Sequence, residues 1–330
     1  REGVVMIDYS MLGKHMVEGK DAETFLQRVS TNDVSIEDGR VIYSLMLNER
    51  GGIEGDVTIA RHGKTRFMVM SAISHTRRNR DHLQHAVLTS EDVIIRDVTS
   101  AYAVLALSGP LSCAVLETLA DISLYETDFP PYSLQQFYIG HAPVFAQRLS
   151  FTGEMGWEIF ITPDFAEYVF EQLYQAGQAY DLRLAGGEAL NALRIEKGFV
   201  HWGADMAYTE SPHQIGLDFA CHLDKDIAFT GKAAYLARKA QAKGPFLCSI
   251  KLQQPDAMLH HNEPVLRDGT IVGFVTSGAF SAAQGSAVGL CLIAPPTEKS
   301  GVEALEKGDY SVLVEGRTIP AILQRKAFAR

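Results

Sequence analysis

The sequence has few cysteines, no long apolar run and no excess of basic residues. Its four cysteines, Cys113, Cys221, Cys248 and Cys291, form no C-x-x-C pair, a pattern typical of small buried side chains in a reducing compartment, and it predicts a cytoplasmic protein. No apolar stretch approaches the ~20 residues that a membrane-spanning helix requires. The net charge of −10 argues against nucleic acid and anionic membranes as partners, because both require a basic surface.

The motifs of common cofactor and catalytic sites are also missing. The chain has no G-x-G-x-x-G loop and no G-x-x-x-x-G-K-[ST] loop, which argues against tight binding of FAD, NAD or ATP through glycine loops. It has no G-x-S-x-G elbow, which argues against an α/β-hydrolase. Its histidines and cysteines do not cluster with metal-ligand spacing, and the nearest group, "HHNE" at 260–263, lies in a turn. We therefore predict no metal site.

The pattern of apolar residues divides the chain in two. A length of 330 residues suggests two or three domains. Helical and strand patterns are mixed up to residue 242. From residue 243 the helical pattern stops, and short strands separated by Asp-Gly and Glu-Gly turns predict a small β domain, a sandwich or a barrel. The sequence thus predicts an α+β protein.

Two carboxylates stand close to glycine-rich turns. In the predicted strand "IEGDVTIARH" the side chains of Ile53, Val57 and Ile59 share one face, so Asp56 lies on the other. Glu158 follows the turn "TGEMGW". Either carboxylate alone is most simply explained as solvated surface. Each also lies within a longer recognisable block.

Five blocks resemble those of the glycine-cleavage T-protein (aminomethyltransferase) family. They occur in family order across nearly the whole chain and read "VEGKDAETFLQRVSTNDV", "YSLMLNERGGIEGDVTIA", "FTGEMGWEIF", "LRIEKG" and "EPVLRDGTIVGFVTSGAFS". Two further stretches, "LRIEKGFVHWGADM" and "VLALSGP", resemble most the folate-binding half of dimethylglycine and sarcosine dehydrogenases. The resemblance implies a three-lobed, aminomethyltransferase-like folate-binding fold, with two interleaved lobes over residues 1–242 and a C-terminal β-barrel domain over residues 243–330.

The same resemblance implies a function. The expected activity is a tetrahydrofolate-dependent transfer of one carbon from an N-methylated amine, or from its iminium, to form methylene- or methyl-tetrahydrofolate. It also implies an FAD-dependent oxidase or dehydrogenase domain or subunit as a possible partner. The family's upstream segment is absent, so the chain is either trimmed or one piece of a longer polypeptide. Two alternatives stay open: a non-catalytic folate-binding or regulatory module of a flavin dehydrogenase, and an O- or S-demethylase.

Three residues match the family's site motifs and predict specific roles. Asp56 falls on the catalytic aspartate, whose carboxylate would stabilise the cation that forms when an amine takes up a carbon and would accept its proton. Glu158 falls on the glutamate that holds the pterin, whose ring N–H and amino group lie side by side. Tyr43 falls on a tyrosine that lines the site, although an ordinary tyrosine at the core edge explains it equally well.

Other positions depart from the family pattern or have a structural alternative. Phe151 stands where the family usually has a tyrosine, and it is predicted to contact the cofactor without that hydroxyl. Arg194 is retained as a predicted cofactor-binding residue, although pairing with Glu196 or another acid is an equal alternative. Gly55 replaces the first aspartate of a common pair, and Leu190 replaces a substrate-site arginine. These changes argue against a lipoyl-bound aminomethyl substrate.

Overall fold

The computed structural model describes residues 1–296 and 302–329. The strands are β1 (Val5–Asp8), β2 (Gly13–Glu18), β3 (Val41–Leu47), β4 (Ile53–Gly63), β5 (Arg66–Ser71), β6 (Ile94–Asp97), β7 (Ala103–Ser108), β8 (Leu134–Ile139), β9 (Ala142–Gln147), β10 (Gly156–Ile161), β11 (Arg183–Leu184), β12 (Phe246–Leu252), β13 (Pro264–Arg267), β14 (Thr270–Ser281), β15 (Ser286–Ile293), β16 (Tyr310–Val314) and β17 (Arg317–Gln324). The α-helices are α1 (Ala22–Val29), α2 (Thr76–Ala86), α3 (Ser112–Glu117), α4 (Ala166–Gly177), α5 (Gly187–Glu196), α6 (Pro212–Ile215) and α7 (Lys232–Gln241).

The chain forms two compact units, each built from three separate segments. The first unit consists of Arg1–Leu47, Glu54–Gly186 and Ala220–Thr230, and the second of Asn48–Ile53, Gly187–Phe219 and Gly231–Arg330. The expected division between residues 242 and 243 stays a prediction, and residues 297–301 and 330 of its C-terminal part lie outside the described residues.

A five-stranded sheet in the order β3-β4-β5-β2-β6 carries Asp56. Alternation along β4 turns Val57 and Ile59 to one face, where they form a buried core with Phe25 of α1 and Leu83 of α2. The other face of β4 carries Asp56. The predicted alternation of this strand is therefore confirmed.

A six-stranded sheet in the order β11-β1-β7-β10-β9-β8 carries Glu158. Its strand pairs are antiparallel except for the parallel pair β1 and β11. Trp157 and Ile159 of β10 pack into a core with Val115 of α3 and Val169 of α4. Glu158, between these two residues, consequently lies on the opposite face of the sheet.

The two sheets of the first unit pack together through the faces that the helices leave uncovered. The amide Nε2 of Gln147 on β9 donates to Sδ of Met70 on β5 at 3.2 Å. The ring of His62 on β4 meets the ring of Phe145 on β9 edge-on, with 5.2 Å between their centroids. The faces that carry Asp56 and Glu158 are thus the two faces that meet inside the first unit.

The C-terminal strands close into a barrel in the order β12-β15-β14-β13-β16-β17. Two of its hairpins turn at Asp268-Gly269 and Glu315-Gly316, and all four of these residues have positive φ angles. Such turns match the twist of antiparallel strands and favour glycine. The prediction of an α+β fold with a C-terminal β-barrel is confirmed.

Candidate active site

Asp56 is held in place by its neighbouring strand. The hydroxyl of Tyr43 on β3 donates to Oδ2 of Asp56 at 3.2 Å. Burial raises the pKa of Asp56 to about 6, although the hydrogen bond from Tyr43 opposes this shift. The carboxylate therefore becomes a proton acceptor of useful strength near neutral pH.

Glu158 is a buried carboxylate without a hydrogen bond to any of the residues that the structure describes. Its exposed fraction is only 6%. Burial raises its pKa to about 7, and the charge of Lys14 opposes this shift. Buried carboxylates are normally paired or hydrogen-bonded, since an unpaired one costs several kcal/mol. A buried acceptor of this kind is suited to a ligand that presents two N–H donors.

Strand register places Asp56 and Glu158 on facing layers. Thr58 on β4, two residues after Asp56 and on the same face, is paired with Met70 of β5. Gln147 on β9 is the register partner of Glu158 on β10. Because Met70 and Gln147 are in contact, the face of β4 that carries Asp56 and the face of β10 that carries Glu158 both line the layer between the two sheets. The structure thus places Asp56 beside Tyr43 in one sheet and Glu158 in the other, with both acids on the faces that meet between the sheets.

The remaining site candidates of the first unit lie in a loop and beside a helix. Phe151 is partly buried in the loop between β9 and β10, five residues before Gly156, the first residue of the Glu158 strand. At Gly55, an added Cβ would lie 2.8 Å from Oδ1 of Asn79 on α2. An aspartate at this position would therefore require the Asn79 side chain to move, which explains the glycine.

Arg194 of α5 lies in the second unit, and protein atoms surround its guanidinium. Nη1 is 2.5 Å from Oδ2 of Asp205, and the two side chains are 4% and 0% exposed. Nη2 donates to Oγ of Ser277 at 2.7 Å, and Nε donates to Oδ1 of Asn191 at 2.9 Å. The sequence allowed Arg194 to pair with Glu196 or with another acid. In the structure the partner is another acid, Asp205. Glu196 instead accepts from the hydroxyl of Ser281 at 2.5 Å.

Removing the charge of Arg194 is expected to destabilise the protein by about 3–5 kcal/mol, because Arg194→Met leaves the Asp205 carboxylate buried and without its counter-charge. Arg183→Met is the control. Arg183 also pairs with an aspartate, Asp181, but both side chains are more than 70% exposed, so we expect a loss of about 0.5 kcal/mol or less. Urea unfolding of both variants measures the two free energies. Equal, small losses would contradict a structural role for Arg194.

Sequence reasoning missed two groups that lie near Glu158. The charge of Glu158 contributes to raising the pKa of Tyr9, after the larger effect of burial. Lys14 on β2 is fully buried, and the charge of Glu158 acts on it as well. Tyr9 and Lys14 belong to the segment "DYSMLGKHMVE". The only pattern in it that bears on Lys14 is the alternation along β2, which places Lys14 and Met16 on the face opposite His15 and Val17.

The described residues contain neither a candidate membrane span nor a candidate metal site. No helix in the described part of the chain is both long and apolar enough to span a bilayer. Within the same residues, no group of three or more histidine, cysteine, aspartate or glutamate side chains has the geometry of a metal site.

Family models match both parts of this architecture. Residues 1–225 match the GCVT N-terminal domain, and residues 246–329 match the glycine cleavage T-protein C-terminal barrel domain. The chain belongs to the glycine cleavage T-protein family. This membership confirms the resemblance seen in the sequence blocks, and it identifies the chain as related to aminomethyltransferases.

Individual relatives extend the comparison. The chain is 34% identical, over 99% of its length, to the 4-methylaminobutanoate oxidase (formaldehyde-forming) of Paenarthrobacter nicotinovorans, and it covers 39% of that protein. It is 30% identical to an aminomethyltransferase of Clostridium botulinum (strain Loch Maree / Type A3), with coverage of 99% of this chain and 86% of the relative. The chain therefore spans about two fifths of the first relative and most of the second.

A solved T-protein structure has the same fold. The crystal structure of glycine cleavage system aminomethyltransferase T from Bartonella henselae superposes with a TM-score of 0.86 at 23% identity, over 100% of this chain and 87% of that chain.

Proposed function

We propose that the chain is a tetrahydrofolate-dependent one-carbon transferase that acts on an N-methylated amine or on its iminium. The observation that carries the proposal is Glu158: a carboxylate that is 6% exposed and has no hydrogen-bond donor among the described residues. It faces the sheet that holds Asp56. The products would be methylene- or methyl-tetrahydrofolate, depending on the oxidation level of the donor.

The residues present fit a reduced pterin. Its ring N–H and exocyclic amino group are adjacent donors, and one carboxylate accepts both, as it does from an arginine. Glu158 would hold these donors, and Phe151 would contact the ring system. Arg194 would contact the folate only if it left Asp205. Bound tetrahydrofolate supplies a nucleophilic nitrogen that accepts one carbon.

Asp56 would stabilise the positive charge that forms during the transfer and would accept the proton that is released. Transfer of an iminium carbon to an amine nitrogen places positive charge on that nitrogen, which must then lose a proton. The bond between the carbon and the donor nitrogen would break in turn, and the donor would leave as an amine that takes up the released proton. An ionised Asp56 stabilises the cation and accepts the proton. No oxidant is needed for this step, because the iminium carbon is already oxidised to the methylene level.

An FAD-dependent oxidase or dehydrogenase is the proposed source of the iminium. Oxidation of an N-methylated amine removes two electrons, and nothing in this sequence resembles a flavin-binding glycine loop. The relative from P. nicotinovorans is named an oxidase, and the matched region is 39% of its length. This supports a flavin domain or subunit as the partner.

The proposal is tested by titration with folinic acid in a calorimeter, followed by a turnover assay. The assay supplies tetrahydrofolate and a panel of N-, O- and S-methylated donors, with and without an added amine oxidase, and quantifies the folate products by mass spectrometry against an Asp56→Ala background. Folate binding together with turnover on an oxidised amine supports the proposal. Binding without turnover favours the regulatory module, and turnover only on O- or S-methyl donors favours that demethylase. Absence of folate binding refutes the proposal.

A further expectation concerns Tyr43. A hydrogen bond to a charged group contributes about 1.5 kcal/mol, or about one pH unit, so Tyr43→Phe is expected to move the acid limb of turnover from about pH 6 towards pH 7. Because Asp56 must be ionised, turnover at pH 6 falls about fivefold and turnover at pH 8 changes by less than about twofold. A pH–rate profile measures both values. An equal loss at every pH would indicate that Tyr43 acts through packing alone.

A further inference from the structure

Lys14 is a fully buried lysine whose charge acts on the candidate folate carboxylate. Its exposed fraction is 0%. Its ammonium donates to the backbone carbonyls of Ser10 at 2.9 Å and Leu12 at 2.8 Å. Burying an ammonium is costly, and an apolar side chain would fill the same space without that cost. The presence of a charged side chain at this buried position therefore indicates a role for the charge of Lys14.

Strand register places Lys14 and Glu158 each one strand away from a contact between the two sheets. Lys14 on β2 is the register partner of Met70 on β5, and Glu158 on β10 is the partner of Gln147 on β9. Met70 and Gln147 touch across the layer between the sheets. Each charged residue is thus one strand, about 4.8 Å, away from this contact. The two charges interact electrostatically, although no hydrogen bond joins them.

The ammonium has one donor to spare. A lysine ammonium carries three N–H donors, and Ser10 and Leu12 accept two of them. In the described part of the chain no further acceptor is bonded to the ammonium of Lys14. Because Lys14 is completely buried whereas Glu158 keeps a small exposed fraction, a ligand would touch Glu158 and leave Lys14 behind it.

Few other charges face this pair. Asp8 at the end of β1 and Asp97 at the end of β6 act on Lys14 and favour its charged form, against the larger effect of burial. Glu158 also acts on the phenol of Tyr9, which is uncharged at neutral pH and whose pKa burial raises further. Lys14 is therefore the positive charge that acts on Glu158.

We propose that Lys14 is a positioning residue: its ammonium keeps Glu158 ionised and oriented so that Glu158 can accept the two N–H donors of the pterin. This rests on the proposed function. Lys14 does not contact the folate itself. It acts through Glu158, so its importance depends on the protonation state of that carboxylate.

The first test is the pH dependence of folinic acid binding by wild type and Lys14→Met. An acidic group whose pKa is raised becomes protonated as the pH falls through that value, so binding to the carboxylate is lost at low pH. Without the ammonium the pKa of Glu158 rises above about 7. We expect Lys14→Met to bind about tenfold more weakly at pH 7 and within about twofold of wild type at pH 9.

Two outcomes of this titration would overturn the proposal. One is an equal loss of affinity at every pH, as a packing defect would give. The other is unchanged affinity throughout. Lys14→Arg keeps the charge but alters the packing, so it is expected to retain the wild-type pH profile. If Lys14→Arg shows the altered profile of Lys14→Met, the charge is not the cause.

A second measurement does not depend on folate. Infrared difference spectra of the ligand-free protein, with Glu158→Gln as the reference, report the protonated carboxyl of Glu158 as the pH changes. Its midpoint is expected at higher pH in Lys14→Met than in wild type. An unchanged midpoint overturns the role of Lys14 even if folate binds. If the midpoint shifts but the protein binds no folate, the electrostatic coupling between Lys14 and Glu158 is supported and only the proposed function is refuted.

Discussion

Turnover of the Asp56→Ala variant is expected to be about 10³-fold lower than that of wild type, because the loss of a positioned general base typically costs 10²–10⁴-fold. Folinic acid should still bind within about threefold of the wild-type affinity, since the binding donors of the pterin are assigned to Glu158. Calorimetry and single-turnover kinetics separate the two effects.

Two further variants, Asp56→Asn and Thr58→Val, test whether the loss of turnover is due to the carboxylate of Asp56. Asparagine keeps the shape of Asp56 and can still accept from Tyr43, but it cannot take up a proton, so its turnover should match that of alanine. Thr58→Val changes a neighbouring side chain on the same face of β4 and should retain turnover within about twofold, as expected for a site that does not take part. Near-normal turnover of Asp56→Asn would show that ionisation of Asp56 is not needed.

The second large effect is expected at Glu158. Glu158→Gln should weaken folinic acid binding by about 100-fold, since it replaces two charge-assisted hydrogen bonds, and its amide presents a donor to the donors of the pterin. Binding to wild type should also decline as the pH falls through about 7, where Glu158 becomes protonated. The affinity of Glu158→Gln should vary much less with pH. A variant with wild-type affinity would refute the assignment of Glu158 to the pterin.

The same substitution should stabilise the ligand-free protein at alkaline pH. The pKa of Glu158 is raised from 4.5 to about 7 in the folded state, so the folded protein binds a proton more tightly than the unfolded chain. Ionised Glu158 therefore reduces stability above pH 7, and this cost disappears as the pH falls towards 4.5. We expect Glu158→Gln to be more stable by about 3 kcal/mol at pH 8, and to lose most of this advantage near pH 5. Thermal unfolding at the two pH values measures the difference.

Local patterns predicted the strands and the orientation of their side chains. The alternation of Ile53, Val57 and Ile59 placed Asp56 on the opposite face, and the structure has it there. The Asp-Gly and Glu-Gly dipeptides marked hairpin turns that the structure contains at residues 268–269 and 315–316. These features depend on neighbours in the chain, so a sequence specifies them directly.

Features that depend on distant pairing could not be derived in this way. The strand pattern alone allowed a sandwich or a barrel, because closure depends on pairing between strands that are far apart in sequence. The buried charge of Lys14 was also missed. A lysine on a strand is ordinarily solvated, and only the packing of the second sheet on β5, the neighbour of β2, shows that this face is covered. The choice of Asp205 as partner of Arg194 likewise depends on the loop that follows α5.

Because each unit is built from segments that are separate in sequence, the chain cannot be cut at residue 242 without dividing the second unit. A fragment that ends at residue 242 would retain Asp205 but lose the hydroxyls of Thr276 and Ser277, which donate to its Oδ1 at 2.6 and 2.7 Å. The acid would then be left with half of its donors. A fragment designed to express the barrel alone would therefore have to include residues 187–219. The same holds for a chimera in which the barrel is exchanged with that of a homologue.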